Sequence, residues 1–295
     1  MNSALKGIAA VSLVLTSVLI AGCMTVRFEE KALVKAVAAP ELDLAAAKLA
    51  FPVYEFSAHR SNFALAAEPQ SSLYWVSATR ADAKATVFYV GGNIFTIANG
   101  HKHPLSQYAK LPVNIVMIDH IGYGASTGKA SLDGMQQGAN QVFIDAQAWF
   151  ATEPSTKSLA IFVHGYSIGS FSAGYIAQNH TLTGLILEGS ATTAEEWAEL
   201  SRTRSIFSRV MVSKIDMDDT FRSRGNLKVA QSLDEPTLFF VGEKDSSTPK
   251  VLTEKLYAAA PSTIKKKLVI VPGADHGNAS YDPLFVSAFN EMFIQ

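Results

Sequence analysis

The sequence predicts an α/β fold in which helices flank a mainly parallel sheet. Runs of apolar residues recur along the chain, and segments of helical character separate them. Continuous apolar runs are typical of strands that are buried on both faces. Strands that alternate with helices form parallel sheets that are covered on both sides. The predicted strands lie at residues 72–77, 85–90, 113–118, 159–163, 182–187, 236–241 and 268–271.

The longest predicted helix spans residues 132–151, between the third and the fourth predicted strand. Its apolar residues Val142, Ile144, Ala148 and Trp149 have a spacing that is compatible with one buried face. A shorter helix is predicted before the third strand, and another begins directly after the fourth.

Ser167 stands at the centre of a G-x-S-x-G pentapeptide that directly follows the apolar run 159–163. A buried strand that ends in a sharp turn and continues as a helix is the setting of a nucleophile elbow. The turn holds the serine in a strained conformation, and Gly165 and Gly169 leave room for a tight crossing of strand and helix. The alternative is a Gly/Ser loop that only caps a helix. The apolar run before the pentapeptide favours the elbow.

A nucleophilic serine needs a base and an acid that orients the base. His276 lies in a glycine-containing loop after the last predicted strand, from which it can reach over the sheet edge. His180, the only other histidine downstream of Ser167, is expected at an exposed helix end. Glu243 and Asp245 both follow the strand at residues 236–241, and either carboxylate could fix the imidazole tautomer.

Two further stretches accompany these residues, Phe88–Asn93 at the end of the second predicted strand and Asp119–Gly128 after the third. Together they resemble the α/β-hydrolase superfamily from about residue 72 onward. The pattern is most similar to the branch of monoacylglycerol-lipase-like enzymes, acyl-protein thioesterases and serine aminopeptidase-like hydrolases. The resemblance implies the α/β-hydrolase fold with the chain order serine, acid, histidine. It also favours Asp245 over Glu243, because the family places an aspartate four residues before a proline, here Pro249.

The resemblance further implies an oxyanion hole made by the backbone N–H groups of Asn93 and Ile168. Such donors stabilise the negative charge that develops on the substrate oxygen, and each contributes about 3 kcal/mol. Gly91 stands where the family usually has a histidine that pins this loop. Because the donors are backbone groups the hole can survive this change, but the sequence does not indicate what keeps the loop rigid. The alternative is an ordinary Gly-Gly turn.

Residues 191–232 interrupt the alternation of strands and helices with a charged, helix-like segment. The family places a lid at this point of the chain, so a small helical lid of one to three short helices is predicted. Trp197, Phe207 and Met217 could line an acyl-accepting pocket or pack the lid onto the core, and the sequence favours neither.

The N-terminus resembles a bacterial lipoprotein signal peptide. A short basic segment ends at Lys6, an apolar and uncharged stretch follows, and small residues precede Cys23, the only cysteine of the chain. This pattern predicts cleavage before Cys23 and acylation of its thiol. Two alternatives are an uncleaved membrane helix over residues 7–26 and a plain secretory signal. Two or more acyl chains attach a protein stably to a membrane, whereas one chain binds only marginally.

No aspartate follows Cys23 at the second position, and by resemblance to Gram-negative sorting this indicates the outer membrane facing the periplasm. The chain is thus predicted to consist of a signal peptide at residues 1–22, a lipid-anchored tether and leader at 23–70, and an α/β-hydrolase domain at 71–295 with a lid insertion at about 191–232.

Composition narrows the remaining possibilities. The chain has 295 residues, of which 48% are hydrophobic, and this is ample for the core of one domain. The formal net charge is −1, and the absence of a basic patch or nucleic-acid motif excludes nucleic acid as a partner. His101 and His103 have no cysteine or acidic residue nearby, so no metal site and no cofactor are predicted.

These observations predict a lipid-anchored serine hydrolase that cleaves the ester or thioester bond of a small-molecule or lipid acyl substrate. A serine peptidase or amidase of the same fold is the alternative within the enzymes. A non-catalytic envelope binding protein on a hydrolase fold is the alternative outside them. The complete set of Ser167, Asp245 and His276 favours an enzyme.

Overall fold

The computed structural model describes residues 24–65, 70–153, 156, 159–203 and 211–294. The predicted signal peptide and Cys23 lie outside these residues. The described residues fall into two compact units. The large unit comprises Glu30–Thr192 and the chain from Gly225, and the small unit comprises Thr193–Arg224 together with the segment that ends at Glu29.

The strands of the described chain, in chain order, are β1 (Met24–Phe28), β2 (Glu55–Phe63), β3 (Ser71–Thr79), β4 (Ala85–Val90), β5 (Val113–Ile118), β6 (Ala160–Tyr166), β7 (Gly184–Glu188), β8 (Val212–Met217), β9 (Thr237–Gly242) and β10 (Lys266–Val271). The helices are Glu30–Leu33, Leu44–Ala50, Ile97–Gly100, Lys102–Gln107, Leu132–Thr152, Gly169–Asn179, Ala194–Thr203, Asp219–Arg222, Leu227–Gln231, Lys250–Ala259 and Pro283–Phe289.

An eight-stranded sheet forms the centre of the large unit, in the order β10-β9-β7-β6-β4-β5-β3-β2. The six strands from β10 to β5 run parallel, and β3 and β2 continue the sheet antiparallel. The fold class predicted from the sequence is confirmed, and every predicted strand has a counterpart. Buried apolar residues form two clusters, one of which contains Val87 and Tyr89 while the other contains Phe88 and Val90. Because these residues alternate along β4, the two clusters cover opposite faces of the sheet.

The long helix buries a different face from the one expected. Leu132–Thr152 begins at Ser131, whose hydroxyl accepts the N–H of Gly134 and caps the helix. Of the four apolar residues expected on one buried face, only Val142 is buried, and Ile144 is 41% exposed. With 3.6 residues per turn, Ile144 lies about 200° round the helix from Val142, so the two cannot share a face. The buried face is formed instead by Met135, Ala139, Val142, Phe143, Ala146 and Phe150.

The segment expected to be a tether is largely part of the folded unit. β2 pairs with β3 from Glu55↔Thr79 to Phe63↔Ser71, so the sheet begins well before residue 71. The helix Leu44–Ala50 buries Ala47 in the core of the large unit. β2 was not predicted because its residues, EFSAHRSNF, contain few apolar side chains and lack the regular alternation that is typical of a strand with one solvated face.

The small unit contains a two-stranded parallel sheet in which β1 pairs with β8. Phe28 of β1 lies against the rings of Trp197 and Phe221, with centroids 5.8 Å and 6.0 Å away. Trp197 is therefore half-buried against a residue of its own unit. Part of the segment predicted as a helical lid is thus a strand, which the sequence pattern did not indicate, and Phe207 lies outside the described residues.

A helix that crosses a lipid bilayer must be both long and apolar. None of the described helices combines the two properties to the extent that crossing a membrane requires.

Candidate active site

Ser167 lies in a sharp turn between β6 and the helix Gly169–Asn179. Its φ angle is 55°, a left-handed conformation that non-glycine residues rarely adopt. The turn is held because the N–H of Ser167 donates to the carbonyl of Glu188 over 2.8 Å, and the carbonyl of Ser167 accepts the N–H of Ser170 over 3.0 Å. Strain of this kind persists only where the surrounding structure enforces it, and it is concentrated at functional sites.

The two glycines of the pentapeptide permit this turn, as the sequence predicted. A Cβ on Gly165 would lie 2.4 Å from the Cα of Ser170, and a Cβ on Gly169 would lie 2.2 Å from the carbonyl oxygen of Val90. Both contacts are with backbone atoms that cannot move aside. The elbow is therefore compatible only with glycine at these two positions.

The structure brings Ser167, His276 and Asp245 together. The Nε2 atom of His276 lies 3.0 Å from the Oγ of Ser167, and its Nδ1 atom lies 2.7 Å from Oδ2 of Asp245. The imidazole is 21% exposed, whereas the carboxylate is almost wholly buried. His180 follows the helix Gly169–Asn179 and hydrogen-bonds the side chain of Asn140 instead.

Local hydrogen bonds hold the carboxylate of Asp245. Its Oδ1 accepts the N–H groups of Ser247 and Thr248 over 2.8 Å and 2.7 Å. Its Oδ2 accepts the hydroxyl of Thr248 over 2.9 Å, on the oxygen that also faces His276. These bonds fix the direction of the carboxylate. Thr248 is a supporting residue that sequence reasoning missed, although it stands directly before Pro249.

Glu243, the other candidate acid, has a different partner. One of its carboxylate oxygens accepts the N–H of Gly273 over 2.9 Å, and the side chain is exposed. Glu243 therefore helps to fix the start of the loop that carries His276. The geometry favours Asp245 as the partner of the imidazole.

The loop after β4 carries Asn93, the residue expected to supply an oxyanion donor. Its side chain is fully engaged, because its amide nitrogen donates to the carbonyl of Leu33 over 2.6 Å and its oxygen accepts the hydroxyl of Tyr123 over 3.1 Å. Among the described residues, no hydrogen bond occupies the backbone N–H of Asn93 or of Ile168. Gly92 lies against the elbow, because a Cβ there would be 3.0 Å from the Cβ of Ser167.

Residues from the stretch Asp119–Gly128 support this loop. The Nε2 of His120 donates to the carbonyl of Gly91 over 3.0 Å. The carboxylate of Asp119 accepts the N–H of Ile97 over 2.6 Å. Together with the contact of Tyr123, these hydrogen bonds hold the loop that contains Gly91. The family usually has a histidine within this loop, whereas here His120, which follows β5, takes its place. The sequence shows His120 but gives no sign of this contact, which depends on the pairing of β4 with β5.

Burial sets the protonation of these supporting groups. Burial lowers the pKa of His120 to about 4, so the imidazole is neutral at pH 7. Burial raises the pKa of Asp119 to about 6, against the hydrogen bonds from Ala125 and Ile97 that favour the ionised form.

The candidate residues occupy one edge of the sheet. Asn93 follows β4, Ser167 follows β6, Asp245 follows β9 and His276 follows β10. The carboxyl ends of parallel strands meet at the same edge, and the chain leaves β4 for β5 on one side and returns to β6 on the other. Ligands of open α/β sheets bind in the crevice at such a reversal of strand order. No group of three or more His, Cys, Asp or Glu residues within the described ranges could hold a metal ion.

No model of a known protein family matches the chain. Protein bem46 of the fission yeast Schizosaccharomyces pombe is 28% identical over 206 residues, which are 67% of this chain and 63% of that protein. The chain thus spans just under two thirds of the length of this curated relative.

Solved structures resemble the chain over most of its length. The esterase of Pyrococcus furiosus superposes with a TM-score of 0.63 at 15% identity, covering 89% of this chain and 100% of the esterase. The acylaminoacyl peptidase of Pyrococcus horikoshii gives a TM-score of 0.58 at 14% identity, over 84% of this chain and 43% of the peptidase. The peroxisomal α/β-hydrolase Lpx1 of Saccharomyces cerevisiae gives 0.54 at 11% identity, over 81% of this chain and 88% of the yeast protein.

The chain has the α/β-hydrolase fold. This confirms the fold that the sequence motifs implied. At such low identities the likeness establishes the fold and not the reaction, because one fold hosts many chemistries. The activity of this α/β-hydrolase-fold protein therefore has to follow from its own site.

Proposed function

We propose that the protein is a lipid-anchored serine hydrolase that cleaves carboxylic ester or thioester bonds. The observation that carries the proposal is the continuous line from the Ser167 hydroxyl through the imidazole of His276 to the carboxylate of Asp245. A hydroxyl within hydrogen-bond reach of a base, with the base oriented by a third group, is the arrangement of an activated nucleophile. The strained elbow adds independent support, because strained backbone conformations of this kind are concentrated at functional sites.

In the first half of the reaction, the Oγ of Ser167 attacks the carbonyl carbon of the substrate while Nε2 of His276 takes the hydroxyl proton. The carbonyl bond opens, and its electron pair resides on the oxygen of a tetrahedral intermediate. When the carbonyl re-forms, the bond to the alcohol or thiol breaks and His276 returns the proton to the leaving group. Asp245 holds the imidazole in the tautomer that can accept this proton and stabilises the imidazolium.

In the second half, a water molecule replaces the leaving group. His276 takes a proton from the water, the resulting hydroxide attacks the acyl-enzyme, and collapse of the second intermediate releases the acid and returns the proton to Ser167. The backbone N–H groups of Asn93 and Ile168 are proposed to bind the oxyanion in both halves. Their freedom from other bonds between described residues supports this role.

Esters and thioesters are preferred to amides in the proposal because two of the neighbouring folds belong to esterases. A serine peptidase or amidase is the second candidate. One specific observation favours it, since the fold is also that of an acylaminoacyl peptidase. The same three residues would serve both reactions, and the leaving group would differ.

The anchor belongs to the proposal as well. A basic start, an uncharged apolar stretch and small residues before the sole cysteine support acylation of Cys23 and attachment to the outer membrane on its periplasmic side. The substrate would then be a small or lipid acyl ester that reaches the enzyme at the membrane, where tethering raises the local enzyme concentration.

A substrate panel tests the proposed reaction. A soluble form that begins at Met24 is assayed with p-nitrophenyl esters of rising acyl chain length, with acyl thioesters and with acylated amino-acid anilides. Hydrolysis of the esters or thioesters at a higher kcat/KM than the anilides supports the proposal. The reverse order would favour the peptidase, and no turnover of any substrate by folded protein would favour a binding protein.

Labelling in bacteria tests the anchor. The full chain is expected to incorporate labelled palmitate and to fractionate with membranes, and Cys23→Ser is expected to abolish the labelling because the thioether cannot form. A mature chain with a free thiol at residue 23, or an unmodified start at Met1, would contradict the proposed anchor.

A further inference from the structure

We infer that Tyr166 and His103 are positioning residues that hold the loop of His276 where its imidazole meets Ser167. The inference rests on the proposed function and deepens it. Neither residue belongs to the line of Ser167, His276 and Asp245, and both lie in the large unit.

Tyr166 contacts His276 in two ways. Its hydroxyl donates to the backbone carbonyl of His276 over 2.8 Å. Its ring stacks on the imidazole, with 5.0 Å between the centroids and 29° between the planes. One side chain therefore fixes both the main chain and the ring of His276. Because Tyr166 immediately precedes Ser167, it connects the elbow directly to the residue that the nucleophile must meet.

His103 supports the other side of this contact. Its ring lies 5.4 Å from the ring of Tyr166, and its Nδ1 is 3.1 Å from the hydroxyl of Tyr89. Its Nε2 is 3.2 Å from the hydroxyl of Ser280, and its ring packs edge-on against Tyr281 at 5.0 Å. His103 thus holds the same loop shortly after His276, so the loop is fixed at two points.

The two residues act through hydrogen bonds and packing. Burial lowers the pKa of His103, and burial raises the pKa of Tyr166. Both side chains are therefore neutral at pH 7. A neutral imidazole has one donor and one acceptor nitrogen, which matches its two hydroxyl partners, Tyr89 and Ser280.

The loop needs such support because its own sequence is permissive. It contains Gly273, which has a φ angle of 72°, and Gly277 directly after the histidine. A displacement of about 1 Å in a reacting group can lower the rate about 100-fold. Loss of the support should therefore reduce kcat while the affinity for substrate stays the same.

The test compares two esters with the same acyl group, one with a p-nitrophenolate and one with an ethoxide leaving group. Ethoxide leaves only when it is protonated, so its release depends more strongly on the position of His276. Tyr166→Phe keeps the ring and loses the hydroxyl. Because the two esters form the same acyl-enzyme, the comparison uses kcat/KM, which reports the step in which the leaving group departs. We expect kcat/KM for the ethyl ester to fall about 10-fold, with a smaller change for the p-nitrophenyl ester. Tyr166→Leu should reach about 100-fold, and His103→Phe should show the same dependence on the leaving group.

Tyr257→Phe is the matched control, because this tyrosine packs on Phe239 in another part of the unit. It should leave both rates unchanged. A merely structural role would lower the amount of folded enzyme and change the unfolding midpoint. The hydrolysis rates of both esters would then fall by the same factor.

Equal loss of kcat/KM on both esters, or wild-type kcat/KM for the ethyl ester in Tyr166→Phe, would overturn the inference. If Tyr166→Leu does not fold, Tyr166→Phe and His103→Phe decide alone. Wild-type protein that hydrolyses neither ester contradicts the proposed function and the inference with it, whereas active wild type with an unaffected Tyr166→Phe contradicts only the inference.

Discussion

Two lines of hydroxyl, imidazole and carboxylate groups run through the large unit, and only one of them has the surroundings of an active site. The first joins Ser167, His276 and Asp245 at the carboxyl edge of the sheet, with contacts of 3.0 Å and 2.7 Å. The second lies in the core beside it. The same connectivity therefore occurs twice, and its context separates a candidate catalytic group from a structural one.

The second line joins Tyr108, His164 and Glu188. The hydroxyl of Tyr108 is 2.9 Å from Nδ1 of His164, and Nε2 of His164 is 3.0 Å from a carboxylate oxygen of Glu188. The two side chains are in close contact, although the angle is not that of a hydrogen bond. Gln107 also donates to this carboxylate over 3.1 Å. Burial acts to raise the pKa of Glu188, but the adjacent His164 outweighs it and the pKa is lowered.

Two physical differences separate the lines. The imidazole of His276 is 21% exposed, whereas that of His164 is fully buried, so only the first can meet a substrate. The hydroxyl of the first belongs to a strained elbow, while that of the second is a buried tyrosine with a pKa well above its usual value because of burial. The second line supports the first, because the backbone carbonyl of Glu188 accepts the N–H of Ser167.

Removal of the two hydroxyls gives the largest expected contrast. Ser167→Ala should fold normally and lose about six orders of magnitude in kcat, as removal of a catalytic serine does elsewhere. Tyr108→Phe should keep kcat within about tenfold but lower the free energy of unfolding by about 1–3 kcal/mol, because a buried hydrogen bond is lost. Steady-state kinetics and urea unfolding measure both. A Ser167→Ala variant with a tenth of wild-type activity would move the nucleophile elsewhere.

The carboxylates should differ in the same sense. Asp245→Asn should lower kcat about 10⁴-fold, because the amide stabilises the wrong tautomer of His276. Glu188→Gln replaces a buried carboxylate that contacts His164 and Gln107, and it should lower the free energy of unfolding by about 1–3 kcal/mol, with kcat per folded molecule within about tenfold of wild type. Active-site titration of the soluble fraction provides the normalisation. Equal losses of kcat in the two variants would remove the distinction between the lines.

Glu243→Gln provides a control for Asp245→Asn, because this carboxylate contacts the N–H of Gly273. The amide oxygen of glutamine can accept the same bond, so kcat should change less than about tenfold. If Glu243→Gln were the more damaging of the two substitutions, the role of the acid would pass to Glu243.

His120 can be compared with the histidines of the two lines, because it is a buried histidine with no carboxylate partner among the described residues. Its folded pKa of about 4 lies below the ordinary value of 6.5, so the unfolded chain binds more protons between these values. The resulting stability is present above pH 6.5 and is lost as the pH falls toward 4. Between pH 7 and pH 5 this single group should lower the free energy of unfolding by about 2 kcal/mol.

His120→Gln keeps a donor for the carbonyl of Gly91 and removes the titration. Urea unfolding at pH 7 and pH 5 should therefore show a smaller loss in the variant than in the wild type. The difference between the two proteins isolates His120 from other groups such as Asp119 and His59, which titrate in both. Identical losses would mean that His120 does not titrate in this range.

The sequence was sufficient for the features that depend on local pattern. The parallel strands are apolar runs, and Ser167, Asp245 and His276 each follow a strand in a motif with characteristic spacing. The contacts that could not be predicted from the sequence depend on which strands become neighbours in the sheet. The contact of His120 with Gly91 needs β4 beside β5.

The missed elements have a similar explanation. β2 carries too few apolar residues to be recognised alone, and it forms because β3 provides an edge to pair with. β8 likewise pairs with β1, a segment far away in sequence. The helix Leu132–Thr152 was predicted nearly to its ends, but its buried face was not, because the burial of one apolar residue rather than another is decided by the sheet beneath it.

The central claim is that the first line, formed by Ser167, His276 and Asp245, is an active site with Ser167 as its nucleophile. A fluorophosphonate reacts with a serine only when a base activates it, so intact-mass measurement followed by peptide mapping tests the claim directly. We expect one phosphonyl group per wild-type molecule, on the peptide that contains Ser167, and greatly slowed labelling in His276→Ala. Labelling at another serine, or folded protein that remains unlabelled, would contradict the account.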